Sequence, residues 1–453
     1  MATRRRCARA GALVVFALGS CQTYAPEPLD LDAHRAAWHA RDAADAAAGE
    51  PRPLAPAPTA FDVADGLTLD EGRLVALAFH PELRLARLRV GRAEASAEHA
   101  GRWADPTLGI SALRVADDVP DPWILAPQLT LPIPISGRLG VERARAAEAR
   151  KAELAVLREA EWRVWRDVRV AWSRWSALRL RAEESERLVR DLTPLAETAS
   201  RLAASGELSG PEATLFALGE ARHAAHARRL RGEARAAELA LLAELGLAPE
   251  ADVRLLPALP AAPDATAGEE LPAWAAERNP TLARLRAEHR VAEETLRREI
   301  RAQIPDLTLG PQYESEQGQS RPGLWASIPL PLFNANRQAI AVARAERELA
   351  RAAFEVGYER LAGRWSAAAA RAAALAAQRA DFERALQPLL DVQTTQAAEL
   401  LRLGEASALV LLESLVRAHE IQQERIDARL AQTLVWAELE HLGGPPAEEE
   451  DSR

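Results

Sequence analysis

Glu220, His223 and His226 are the residues most suited to chemistry in this chain. Their spacing of three puts them on one face of a helix, and two imidazoles with a carboxylate are donors that a divalent cation accepts. No cysteine or obvious fourth ligand accompanies them. The trio therefore reads as an exposed helix face, and no metal is expected there. The other histidines, of nine in all, are scattered. Met1 is the single methionine, so no relay of thioethers exists for a soft metal. No glycine-rich phosphate loop and no nucleotide motif occurs. No catalytic residues come together, so neither an enzyme nor a cofactor is expected.

Cysteine chemistry is confined to the N-terminus. Arg4, Arg5, Arg6 and Arg9 precede a short apolar stretch from Gly11 to Leu18, the pattern of a removable export signal. Leu18-Gly19-Ser20-Cys21 follows where that stretch ends and is similar to a bacterial lipobox. Cys21 is then the lipidation site, carrying diacylglycerol and a palmitate-type acyl chain. Gln22 after it favours sorting to the outer membrane. The other cysteine, Cys7, falls in the removed segment, so the mature chain has no disulfide and is held by packing alone. Losing the four arginines takes the formal charge from −9 to −13. A mildly acidic chain of mixed charge argues against a nucleic-acid partner.

The 453 residues are 48% hydrophobic but only 5% aromatic, a composition of long packed helices. No run of 18 apolar residues exists that could form a spanning helix. The chain is instead duplicated. His80-Pro81 recurs as Asn279-Pro280, and Thr107-Leu108-Gly109 as Thr308-Leu309-Gly310. Leu131-Pro132-Ile133-Pro134-Ile135 recurs as Ile328-Pro329-Leu330-Pro331-Leu332. Gly137-Arg138 recurs as Asn336-Arg337, and Gly206-Glu207-Leu208-Ser209 as Gly404-Glu405-Ala406-Ser407. Every offset lies between 197 and 201 residues, far beyond a solenoid period.

Each half reads as helix, two strands, one very long helix, a tight turn and a return helix. Residues 1–20 are the signal peptide and 21–66 a lipid-anchored Pro/Ala-rich linker. The first repeat spans 67–247, with strands at about 106–135 and a helical hairpin at about 138–246. Residues 248–270 link the halves. The second repeat spans 271–443, with strands at about 305–333 and a hairpin at about 335–442. Residues 444–453 form a disordered acidic tail.

In the strands, Leu108, Ile110 and Ala112 alternate with Thr107, Gly109 and Ser111, and similar alternation marks 123–133, 306–313 and 324–330. Period two suits a transmembrane barrel strand or a half-buried soluble strand. Trp123 and Trp325 are candidates for interfacial girdles. Arg138 to Ser205 gives 68 residues broken only by Pro194, about 100 Å of helix. Arg337 to Leu403 repeats this with Pro388. Leu154, Leu157, Trp165, Val168, Trp172 and Trp175 form a coiled-coil seam that includes Glu161. The tryptophans read as inter-helix packing. Gly206 and Gly404 are expected left-handed caps. Four strands cannot close a barrel, so strands that span a membrane require several chains to share one.

Pro305-Asp306-Leu307, then Ser327-Ile328-Pro329-Leu330-Pro331-Leu332-Phe333-Asn334 and Asn336-Arg337 before an alanine-rich helix, resembles the second hairpin of the TolC-like outer membrane factors. Leu403-Gly404-Glu405-Ala406-Ser407 with Leu411-Leu412-Glu413 resembles their periplasmic helix turn. The match covers about residues 67–443, and Cys21 looks like the lipoprotein branch of the outer membrane efflux protein family. The resemblance implies a mainly α fold with a membrane β-barrel portion: a homotrimer of twelve strands continuous with a twelve-helix tunnel. It implies a passive exit duct in the outer membrane, lipid-anchored, with a long periplasmic portion. A periplasmic adaptor and an inner-membrane pump are the implied partners, beside outer-membrane lipid. The adaptor-facing tips are Gly206, Glu207, Leu208 and Ser209 with Gly404, Glu405, Ala406 and Ser407. These residues also have plain turn chemistry, and the two readings are compatible. Some members carry two aspartates six and nine residues after the second tip glycine. Those positions are Val410 and Glu413 here, so Glu413 is the candidate periplasmic gate, against the alternative of a solvated helix glutamate. Two other readings stay open: a periplasmic adaptor lipoprotein, and a structural coiled-coil lipoprotein.

Overall fold

The computed structural model describes residues 24–48, 61–116, 122–260, 267–316, 319–402 and 408–446. The chain divides into two units, Met1–Arg41 and Asp42–Arg453. The first holds helix α1 (Leu31–His39), started by the Asp30 carboxylate accepting the Ala33 N–H at 2.9 Å. A 3₁₀ turn follows in the second unit at Ala43–Ala48. The segment read as a linker thus contains helical pieces.

The first half of the second unit is built from α2 (Leu69–Phe79), α3 (Pro81–His99), β1 (Thr107–Arg114), β2 (Trp123–Ile133), α4 (Arg138–Ser205) and α5 (Gly210–Glu244). The second half has α6 (Ala273–Arg278), α7 (Pro280–Arg301), β3 (Leu307–Glu316), β4 (Gln319–Ser327), α8 (Arg337–Asp381), α9 (Gln387–Arg402) and α10 (Ala408–Gly443). Among the described residues no helix is long and apolar enough to cross a membrane.

The repeated dipeptides now have physical causes. His80 and Asn279 are N-caps: His80 Nδ1 accepts the Glu82 N–H at 3.3 Å, and Asn279 Oδ1 accepts the Leu282 N–H at 3.1 Å. Pro81 and Pro280 follow at the first helical position, where the missing N–H costs nothing. Gly137 and Asn336 begin the long helices α4 and α8 in left-handed backbone, φ 71° and 57°. Glycine and asparagine are the residues that tolerate this region.

A second pair of glycines, absent from the sequence reading, closes each half. Gly246 (φ 74°) and Gly444 (φ 83°) end the return helices. A Cβ on Gly246 would strike the Phe79 carbonyl, and one on Gly444 the Arg278 carbonyl. Each return helix therefore ends against the cap of its own half. Asn279 Nδ2 also donates to the Leu442 carbonyl at 3.0 Å, and His80 Nε2 lies 3.5 Å from Glu244.

Trp162, Trp165, Val168, Trp172 and Trp175 of α4 pack with Val75, Leu83, Leu241 and Leu245 in the first core. Trp365 and Leu361 of α8 pack with Leu282, Leu285, Leu439 and Leu442 in the second. The tryptophans are core, as the seam suggested. Glu161 sits beside them and lies 3.7 Å from Arg87. The segment 248–260 is no loose joint. Trp172 Nε1 donates to the Leu256 carbonyl at 3.1 Å, the Ala258 N–H to Ser176 Oγ at 3.0 Å, and Thr433 Oγ1 to the Pro260 carbonyl at 3.1 Å.

Two expectations change. The helix expected from Arg337 to Leu403 is interrupted by a π-helical turn at Phe382–Leu386, directly before Pro388. The proline ring would collide with the carbonyl four residues back, and a wider turn relieves that clash. α4 runs through Pro194 without such a turn. The second strand pair also stops short: β4 ends at Ser327, so Ile328-Pro329-Leu330-Pro331 is not strand. β2 continues through Pro132 because Pro132 pairs with Thr308. Among the described residues β4 is a sheet edge without a further partner, and nothing there holds a proline-rich stretch in the ladder.

Replacing Trp172, fully buried and hydrogen-bonded, with alanine is expected to destabilise the protein by about 3–5 kcal/mol. Chemical denaturation followed by tryptophan fluorescence and circular dichroism would measure it.

Candidate functional site: the open sheet and the helix tips

The four strands form one antiparallel sheet in the order β1-β2-β3-β4. Cross-strand partners share a face. Leu108 pairs with Leu129, Ile110 with Pro127, and Ala112 with Leu125. Leu131 pairs with Leu309 and Ile133 with Leu307. Pro311 pairs with Leu324 and Tyr313 with Pro322. These pairs make one continuous apolar face. It is not covered: Leu324 is 87% exposed and Ile110 73%.

The other face is largely polar. Thr107 pairs with Thr130, Gln128 with Gln312, Thr308 with Ser327, and Glu314 with Arg321. Arg321 reaches Glu316 at 2.8 Å. Trp325 lies on this polar face opposite Gly310, so it does not share a girdle with Trp123, which pairs with Arg114 on the apolar side. Gly310 itself has no room for a side chain: a Cβ there would collide with the Leu129 backbone of β2.

The helices beneath follow the strand order. α3 leads into β1, β2 into α4, α7 into β3, and β4 into α8. α3 packs on α4, α4 on α7, and α7 on α8. Strand order and helix order therefore coincide, and the chain's two flanks are β1 with α3 and β4 with α8. Each flank helix carries an unpartnered apolar stripe. On α8 it is Val342, Ala345, Leu349, Ala352 and Val356, all exposed, at spacings of three and four. On α3 Leu85 and Leu88 are 59% and 63% exposed, with Ala95 one heptad beyond Leu88. Such spacing is a coiled-coil seam.

Polar side chains tie the two layers together. Arg138 at the head of α4 donates to Asp306 through Nε at 3.1 Å and Nη2 at 2.5 Å, a two-pronged contact. The Asp306 hydrogen bonds, first, hold the Arg138 guanidinium above its ordinary range. Asn336 Nδ2 donates to the Glu299 carbonyl at 2.9 Å and carboxylate at 2.8 Å. The Asn336 hydrogen bond, then that of Arg298, lowers the Glu299 carboxyl. Sequence reading noted Asp306 and Asn336 only as motif letters. Partners 168 and 37 residues apart, each pair joining different elements, leave no local signal.

At the first tip, Gly206 ends α4 in left-handed backbone, and the N–H groups of Glu207 and Leu208 both donate to the Leu202 carbonyl, at 2.9 and 3.2 Å. Ser209 then caps α5: its Oγ accepts the Glu212 N–H at 3.3 Å while Glu212 accepts the Ser209 N–H at 3.1 Å. Glu207 and Ser209 are exposed there. The matching residues Gly404, Glu405, Ala406 and Ser407 lie outside the described residues, as does Cys21. Glu413 is an exposed residue of α10, paired with Arg417 at 2.9 Å, and Arg417 also reaches Glu420 at 3.1 Å. Its charge is thus offset within its own helix. The Glu220, His223 and His226 trio is drawn apart: Glu220 accepts from Thr193 Oγ1 at 3.2 Å, His226 meets Arg229 at 3.2 Å, and His223 packs on the His419 ring.

Helical hairpins thus run into a four-stranded sheet with one bare apolar face. No protein-family model matches the chain, and no curated protein matches it. Solved structures do. The outer-membrane channel OprN aligns with a TM-score of 0.69 at 16% identity, covering 94% of this chain and 99% of its own. The outer membrane protein VceC from Vibrio cholerae gives 0.68 at 17%, covering 83% and 96%. CusC, described for transmembrane channel formation, gives 0.68 at 16%, covering 88% and 99%. The chain has the fold of the TolC-like outer membrane factors, a helical tunnel joined to a β-barrel.

Nothing lies within 4 Å of a Cβ built on Gly206, so an alanine there meets only the cost of its positive φ. That cost is about 1 kcal/mol. We expect Gly206→Ala to speed amide exchange at Glu207 and Leu208 about fivefold, measured by hydrogen–deuterium exchange.

Proposed function

We propose that the chain is the passive outer-membrane exit duct of a tripartite efflux or export system and works as a homotrimer. The observation that carries this reading is the coincidence of two unfinished edges on each flank. Among the described residues β1 and β4 leave their outer hydrogen-bonding groups unpaired, and α3 and α8 leave apolar seams bare on the same flanks. Open strand edges are not tolerated in lipid, so the sheet must close with other copies. β4 and α8 of one copy meet β1 and α3 of the next, and rotation closes the ring. Three copies would supply twelve strands. The apolar face then meets outer-membrane lipid, and the polar face lines the lumen.

The shared fold supports this reading, since OprN is an outer-membrane channel. Energy comes from an inner-membrane pump, reached through a periplasmic adaptor that docks on Gly206, Glu207, Leu208 and Ser209 and on Gly404, Glu405, Ala406 and Ser407. Cys21 anchors each copy by its acyl chains. Glu413 contributes a ring of three carboxylates near the periplasmic end, with Arg417 tempering its charge. A periplasmic adaptor or a plain coiled-coil lipoprotein has no use for a four-stranded sheet with a bare apolar face.

Protein extracted from outer membranes in mild detergent should run as a trimer and conduct across a planar bilayer. Leu349→Asp, which charges the α8 seam, should reduce the trimer to monomer. A water-soluble monomer released by Cys21→Ser, with no conductance, overturns the duct. In the conducting protein, Arg417→Gln should shift the reversal potential in a salt gradient toward cation selectivity, because it leaves Glu413 unpaired. An unchanged potential removes Glu413 from the gate.

A further inference from the structure

Where α10 packs on α4, four polar residues come together: Arg181, Ser185, His419 and Gln423. Ser185 of α4 is 1% exposed and Gln423 of α10 is 9%. Their hydrogen bonds fix orientation. Arg181 Nε donates to Gln423 Oε1 at 2.8 Å, so the amide nitrogen must point the other way. That nitrogen donates to the Arg181 carbonyl at 3.1 Å and to Ser185 Oγ at 3.3 Å, and stands 3.4 Å from His419 Nε2. Ser185 Oγ is also 3.4 Å from the same ring nitrogen. With the Gln423 amide N–H aimed at it, His419 Nε2 is placed to accept, a role that only a neutral imidazole can fill. From α5, His223 meets the His419 ring edge to face, with centroids 6.1 Å apart. His226 is one helical turn further on.

We propose that His419 is an acid-sensitive latch that holds α10 against the α4–α5 hairpin while neutral and releases it when protonated. A proton on Nε2 would set N–H against the Gln423 N–H and forfeit that acceptor. The surroundings offer it little relief. Arg181 faces it from α4, and His223 and His226 from α5, with Arg222 and Arg229 beside those two histidines. On α10 itself, Glu420 is held by Arg417 at 3.1 Å and Asp427 by Arg181 at 3.2 Å. Glu233 of α5 is bound by Arg229 at 2.5 Å.

The protonation behaviour agrees with the geometry. Burial first, and then His223, His226 and Arg181, push the His419 imidazole down to about 4. Burial first, then Arg222, lowers His223, and burial first, then Arg229, lowers His226. A histidine whose pKa falls on folding stabilises the packed state fully above its ordinary value of about 6.5. That contribution fades as the pH drops below 6.5 and is gone near 4. Residues 408–427 run from the crossing to the start of α10, so release frees that end of the second hairpin. What this does to flow rests on the duct reading; the latch itself does not.

The test is hydrogen–deuterium exchange of the full chain in detergent at about pH 7.5 and pH 4.5, corrected for the intrinsic rate. Peptides from 408–427 and 181–192 should lose protection by about tenfold at the lower pH, while peptides over Trp162–Trp175 stay protected. In His419→Gln the loss should shrink below about twofold. Unchanged wild-type protection, or an equal loss in His419→Gln, overturns the latch. If that variant fails to protect Trp162–Trp175, His223→Gln decides: removing this neighbour should raise the midpoint pH of the loss, and an unmoved midpoint overturns the proposal. Neither readout depends on conductance or trimer mass, so the latch and the duct can fail separately.

Discussion

The backbone groups along the free sides of β1 and β4 constrain the rest of this molecule. In water an open edge can be hydrated, but against hydrocarbon each unsatisfied N–H or C=O costs several kcal/mol. A sheet whose outer face is Leu108, Ile110, Leu125, Leu309 and Leu324 belongs against apolar surroundings, so its edges need partners. The helices answer the same demand in side-chain terms. Because helix order copies strand order, the seam on α8 stands below the edge of β4, and Leu85 and Leu88 of α3 stand below β1. In the proposed trimer a single closure would satisfy both layers.

Duplication supplies the matching parts. Each half supplies one strand hairpin and one helical hairpin, and each is finished by the same local devices. His80 and Asn279 start helices, Gly137 and Asn336 turn strands into helices, and Gly246 and Gly444 end the return helices against those first caps. The halves differ where their environments differ. Pro194 stays within a regular helix, whereas Pro388 follows a π-helical turn. β2 tolerates Pro132 because β3 flanks it, while β4 ends before Pro329.

Much of this was legible in residue order. The duplication, the long helices, the glycine cap at Gly206 and the packing role of Trp165, Trp172 and Trp175 follow from spacing and turn chemistry, which are local. Alternation in the strands showed two faces and set Trp325 opposite to Leu324 and Ala326, but its partner Gly310 depends on register. The ties Arg138–Asp306 and Asn336–Glu299, and the insertion of residues 248–260 into the core, join distant segments and leave no periodic trace. Nor could residue types reveal that Glu413 is offset by Arg417, or that His223 faces His419 rather than Glu220. Those facts depend on rotation about helix axes.

Long helices rich in alanine have one further problem. A smooth apolar seam fits nearly as well after a slip of seven residues, so burial alone specifies register poorly. The chain counters this with side chains that cannot slip. Trp162 Nε1 donates to the His441 carbonyl at 2.9 Å and Trp365 Nε1 to the Gly268 carbonyl at 3.0 Å. Between helices, Arg231 meets Glu186 at 2.6 Å, Arg284 meets Glu159 at 2.5 Å, Arg290 meets Glu148 at 3.0 Å, and Arg169 meets Glu440. Exposed pairs of this kind add little net stability. Their geometry is demanding, however, because a guanidinium fork accepts a carboxylate in few orientations. Lys151 is the only lysine, so nearly every basic side chain is the more directional one. Apolar burial holds the helices together, and the arginine pairs decide where along about 100 Å they sit.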